Sequence, residues 1–104
     1  MVNKYGARRV HTEEGWFDSE REHRRWGDLK LLERAGKIKN LRRQVPYELI
    51  PKRGRMRAIR FIADFVYEEN GKVVVEDSKG YRNRLYMLKW RLMEWRHGIQ
   101  VVES

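Results

Sequence analysis

Two apolar segments joined by an Asn-Gly pair constrain this chain more than any other feature. Arg57 to Tyr67 carries Ile59, Phe61, Ile62, Phe65 and Val66, and after Glu68-Glu69-Asn70-Gly71 a second run, Lys72 to Asp77, contains three consecutive valines. Runs rich in β-branched and aromatic residues read as strands, and Asn-Gly readily takes the backbone of a tight hairpin turn, so the two runs pair antiparallel. Into these strands the sequence sets Asp64, Asp77 and, just beyond, Lys79. Side chains alternate across a strand, which puts Asp77 and Lys79 on one face and sends Glu76 and Ser78 to the other, Glu76 toward a pair with a basic side chain. An uncompensated carboxylate in an apolar strand is costly, so Asp64 needs a partner. Two carboxylates sharing a hard divalent cation, beside an ammonium group that steers a phosphate oxygen, are suited to metal-assisted phosphodiester hydrolysis. The structural alternative is an ion pair of Asp64 with Arg57 or Arg60, or exposure at a strand end.

The remaining elements follow from local signals. Residues 1–15 lack a clear period and carry Lys4, Arg8 and Arg9, as a basic arm or a poorly paired strand would; residues 16–104 are expected to form one domain. Ser19-x-x-Glu22 has capping-box spacing, and Trp26, Leu29, Leu32 and Ala35 follow at steps of three to four residues up to Gly36, which predicts a helix. Lys37 to Arg43 reads as a basic connector, Val45 to Ile50 as a strand stopped by Pro51, and Lys52-Arg53-Gly54-Arg55 as a turn. A second helix from about Asn83 to Arg96 carries Leu85, Leu88, Leu92 and Trp95 on one face, widened by Met87 and Trp90 and closed by Gly98. Ile99 to Glu103 is short and strand-like. Helix, three strands, helix, strand implies a mixed central sheet flanked by helices.

Charge narrows the partners. Residues 1–60 hold 17 Lys/Arg against 8 Asp/Glu, whereas residues 61–104 hold 7 of each, so the whole net charge of +9 lies in the first part. A basic half beside a carboxylate cluster suits a polyanion; a surface kept basic for solubility is the plainer alternative. No apolar run approaches the ~20 residues that span a bilayer, and no signal-peptide pattern opens the chain. The absence of cysteine excludes disulfides and thiolate metal sites and accords with a cytoplasmic protein. Gln44 at the start of a strand is placed to hydrogen-bond a metal-bound water or a phosphate, or is simply a polar edge residue. Glu22 is a candidate third carboxylate, although the capping role alone accounts for it. His11, His23 and His97 lack metal-ligand spacing. Tyr81, Tyr86 and Trp90 suit base stacking or the core, and no glycine-rich phosphate loop is present.

Taken in order, Asn3-Lys4-Tyr5-Gly6-Ala7, Phe17-Asp18-Ser19-x-x-Glu22, Leu32-Glu33-x-Ala35-Gly36-x-Ile38, Ile62-Ala63-Asp64-Phe65-Val66-Tyr67 and Val75-Glu76-Asp77-x-Lys79-Gly80 cover nearly the whole chain. Together they resemble the PD-(D/E)XK nuclease superfamily, and within it small phage-encoded proteins similar to archaeal-type Holliday junction resolvases. The resemblance implies an αβββαβ, restriction-endonuclease-like core. In it Glu22 would match the helix acid, Asp64 and Asp77 the metal ligands with the Ser78 carbonyl, and Lys79 the catalytic lysine. Asp77 stands where many relatives have Glu, and Ala63 where a proline often precedes the first aspartate. The resemblance further implies Mg²⁺, or Mn²⁺ in its place, an endodeoxyribonuclease acting on branched DNA in recombination, and a homodimer whose interface would draw on Met87, Trp90 or Met93. The DNA backbone would lie against Arg8, Arg9, Lys37, Lys39, Arg42, Arg43, Gln44, Lys52, Arg53 and Arg55. Two other readings remain at this level: a nuclease of flaps, nicked duplex or single strands, and a nucleic-acid-binding protein whose carboxylates serve structure alone.

Overall fold

The computed structural model describes residues 8–78 and 83–104. Lys79, Gly80, Tyr81 and the arm's Lys4 lie outside the described residues. Two short strands, β1 (Val10–Thr12) and β2 (Gly15–Phe17), form an antiparallel hairpin across residues read from the sequence as an arm. Helix α1 (Glu20–Arg34) follows, then β3 (Lys39–Ile50), β4 (Ile59–Glu69), β5 (Lys72–Asp77), helix α2 (Arg84–His97) and β6 (Val102–Glu103). The larger sheet has the order β3-β4-β5-β6, antiparallel except for the parallel β5–β6 pair, so a mixed central sheet carries two flanking helices.

The helix ends are built as the sequence signals. Ser19 caps α1 by accepting the Glu22 N–H at 3.1 Å, and Gly36, at φ +77°, lets the chain turn back so that the Lys37 N–H reaches the Leu32 carbonyl at 2.9 Å. Asn83 accepts the Tyr86 N–H at 2.9 Å to open α2, and Gly98, at φ +66°, closes it. Asn70 and Gly71 take φ +53° and +76°, the two left-handed residues that the β4–β5 turn requires.

Each helix covers its own cluster. Leu29 from α1 packs with Ile38, Phe65 and Tyr67, joined by Trp26, Leu32, Leu41 and Val74. Met93 from α2 packs with Leu49, Phe61, Ala63, Val66 and Val75, joined by Val45, Tyr47 and Trp90. On β5, Val74 belongs to the first cluster and Val75 to the second, so the two helices lie on opposite faces of the sheet. Strict alternation then breaks at one level. Leu41 and Phe65 lie with α1, whereas Val45 and Ala63, which an uninterrupted period of two would put on the same side as them, lie with α2. Between these pairs stand Gln44 and Asp64, and Gln44 has a left-handed backbone at φ +52° in mid-strand. The β3–β4 ribbon therefore changes the face it presents at the level of Gln44 and Asp64.

Helix α2 departs from expectation. Met93 is fully buried and Trp90 partly so, while Leu85, Met87, Leu88 and Trp95 are exposed. Of the three residues expected to offer a dimer interface, Met87 is exposed, Trp90 is partly buried and Met93 belongs to the core. Among the described residues no helix is long and apolar enough to cross a membrane.

Candidate functional site: a carboxylate network beside a basic arm

Three acids come together where the ribbon changes face. Glu22 projects from the first turn of α1, Asp64 from β4 and Asp77 from the end of β5, and they are 1%, 2% and 0% exposed. Gln44 joins the first two, its amide donating to Glu22 Oε1 and to Asp64 Oδ1, each at 3.2 Å. The aspartates are tied reciprocally: the Asp64 N–H donates to Asp77 Oδ1 at 3.3 Å, and the Ser78 N–H to Asp64 Oδ2 at 2.9 Å. Glu22 also accepts the Asp18 N–H at 3.3 Å and lies 3.7 Å from the Arg43 guanidinium. Arg43 is held inward, over the Phe17 ring at 3.6 Å and donating to the Trp16 carbonyl at 2.9 Å.

The acids sit near one another, yet they do not make a metal centre. A cation site needs oxygens converging on one point, and here both Asp64 oxygens, Oδ1 of Asp77 and both Glu22 oxygens are aimed at N–H donors. Among the described residues, no three His, Asp or Glu side chains are placed to hold a metal ion. That geometry overturns the expectation of Mg²⁺ or Mn²⁺ held by Glu22, Asp64, Asp77 and Ser78. With it go the metal-dependent endodeoxyribonuclease, the phosphodiester hydrolysis and the junction-resolvase activity that depended on the ion. Asp64 is also not paired with Arg57 or Arg60. Its partners are an amide side chain and a backbone N–H.

Glu76, one residue from Asp77, points the opposite way, as strand alternation requires. It accepts two hydrogen bonds from Arg25, at 2.8 and 2.9 Å, and one from the Tyr67 hydroxyl at 2.8 Å. Burial works to raise the Glu76 pKa, and Arg25, Tyr67 and Ser104 more than offset it, so the carboxyl titrates below its ordinary value. Burial, then the adjacent carboxylate, push the Tyr67 hydroxyl up to about 12. The pairing of Glu76 with a basic side chain, away from Asp77, is as the sequence suggests; that Arg25 supplies it and that the Tyr67 hydroxyl joins it had no signal there.

The basic residues divide into two sets. Arg9 lies 4.0 Å from Asp18 and over the Trp16 ring, and with Arg43 it is occupied locally. Arg8, Lys37, Lys39, Arg42, Lys52, Arg53, Arg55, Arg57 and Arg60 are exposed. Five of these lie between Lys52 and Arg60 on the connection from β3 to β4 and the start of β4, where Arg53 and Met56 form a turn around Gly54, at φ +58°. No Asp or Glu occurs between Glu48 and Asp64. Glu48 is itself engaged by Arg96 at 3.0 Å.

No curated protein and no solved structure matches the chain. One family profile does, over residues 2–101, and with nearly the whole chain inside it the protein belongs to the family described as Protein of unknown function (DUF1064).

Proposed function

We propose that this protein binds the phosphate backbone of nucleic acid, with DNA the favoured partner, through the cationic tip of the β3–β4 ribbon. One observation carries the reading: Lys52, Arg53, Arg55, Arg57 and Arg60 are exposed and form no ion pair among the described residues. Five uncompensated cations within nine residues repel one another, and a solvated surface gains nothing from crowding them. A polyanion turns that repulsion into attraction and releases its condensed counterions on binding. Lys37, Lys39 and Arg42, at the other end of β3, extend the basic surface along the same edge of the sheet. Contacts of this kind position a duplex or a strand without reading its sequence.

The test is fluorescence anisotropy with labelled four-way, flap, duplex and single-stranded DNAs in the presence of a chelator, so that affinity alone is read. Binding is expected to weaken steeply with salt. The triple variant Lys52→Ala/Arg53→Ala/Arg55→Ala should lose roughly tenfold or more in affinity and flatten the log–log salt slope by about 2 to 3. These side chains are solvated, so the variant should melt within a few degrees of the parent. An absence of binding at low salt, or an unchanged slope in a folded triple variant, would remove the reading.

A further inference from the structure

Helix α2 has two apolar sides and buries one of them. The outer side exposes Leu85 (58%), Leu88 (53%) and Trp95 (78%), while Leu92 between them is partly buried against the sheet core. The 85-88-92-95 spacing is the three-four-three step of a coiled-coil seam, about 15 Å long at the helical rise. Isolated exposed leucines are ordinary, but a continuous seam along one helix marks a surface that something covers.

The charges beside the seam say what. Arg84 and Arg91 flank it on one side and Lys89 on the other, where Arg96 is drawn to Glu48 of β3 at 3.0 Å, and Glu94 is the only acid in the helix. Pairing with the same helix of a second copy would set these cations against one another. An antiparallel pair opposes Arg84 and Arg91 to their own equivalents, and a parallel pair opposes them to Lys89. Both arrangements place like charges together at the points where coiled coils normally place opposite ones.

We infer that the outer face of α2 docks an amphipathic helical segment of another protein, with an apolar stripe flanked by Asp and Glu. The apolar seam supplies the contact area, and the flanking cations select the acidic partner. This surface is independent of the ribbon tip proposed to meet nucleic acid.

The probe is a designed helical peptide of roughly three heptads, with Leu at both seam positions and Glu at the flanks, beside a twin carrying Lys at the flanks. Titrated into the whole protein, the Glu peptide should bind at least tenfold more tightly than the Lys twin. Leu88→Asp should weaken it at least tenfold, with the melting midpoint kept because Leu88 is exposed. Arg84→Glu/Arg91→Glu should shift the preference toward the Lys twin. Equal binding of the two peptides, or binding of neither, overturns the inference. So does reversible dimerisation of the parent that Leu88→Asp abolishes, which would assign the face to a second copy. Leu88-dependent uptake on phosphatidylglycerol vesicles without peptide binding would assign it to lipid and overturn it equally.

Discussion

Replacing Glu76 with leucine is expected to destabilise the protein by about 3 kcal/mol, which for a domain of this size lowers the melting midpoint by roughly 10–20 °C. Glu76 is 1% exposed and receives both arms of the Arg25 guanidinium and the Tyr67 hydroxyl. Leucine fills a similar volume but leaves both donors without an acceptor. The Arg25 side chain is 32% exposed, so its charge regains some water, which sets the cost at the low end for a broken buried pair. The double variant Arg25→Met/Glu76→Leu should recover most of the loss, since it removes both charges together. A single variant that melts within 2 °C of the parent would show that the pair contributes nothing.

The same group sets a pH dependence of definite sign. The Glu76 pKa is lower in the folded chain than in the unfolded one, so its contribution is fully present above the unfolded value and is lost as pH falls through the folded value. Tyr67 acts in the other direction. Its pKa is raised to about 12, so its contribution holds below the unfolded value near 10 and fades as pH climbs toward 12. Urea unfolding at a series of pH values should show the parent losing more stability in acid than Glu76→Leu does. Parallel curves for the two proteins would contradict the assignment.

Phe65→Ala is expected to cost about 3–5 kcal/mol, the largest effect of any single truncation considered. Its ring is fully buried, packs with Leu29, Ile38 and Tyr67, and stacks on Trp26 at 6.1 Å between centroids. Removing it opens a cavity beneath α1, and a backbone already fixed by pairing to β3 and β5 cannot close over it. A loss of that size approaches the whole stability of many small domains. Ile62, on the same strand and 53% exposed, is the control: Ile62→Ala should change stability by no more than about 0.5 kcal/mol. Comparable losses at the two positions in urea would mean that the α1 cluster does not anchor the fold.

The elements with strong local signals were legible. Ser19 and Asn83 cap, Gly36 and Gly98 stop, and Asn70-Gly71 turns, each through contacts within a few residues. What depended on distant neighbours was not. Lys37 to Arg43 reads as a basic connector because an edge strand needs few apolar side chains, yet from Lys39 onward it is already β3. The β1–β2 hairpin is too short to show a period, and its turn rests on Gly15 at φ +105°. Periodicity found the 85-88-92-95 seam but could not tell which side of α2 the sheet would cover. The sequence set Glu22, Asp64 and Asp77 on neighbouring elements, but spacing does not say where their oxygens point. Only the placement of Gln44, Asp18 and Ser78 shows that they meet N–H donors rather than a shared ion.

The left-handed backbone at Gln44 has a consequence for how these molecules behave when crowded. An outermost strand with a regular row of free amides and carbonyls invites a neighbouring chain to extend the sheet. Here β3 is outermost on one side, where Asn40 and Gln44 both break the row with positive φ and Pro46 offers no amide at all. On the opposite side β6 is two residues long. Neither border gives another copy a flat template, so the feature that gathers the acids also discourages strand-by-strand aggregation.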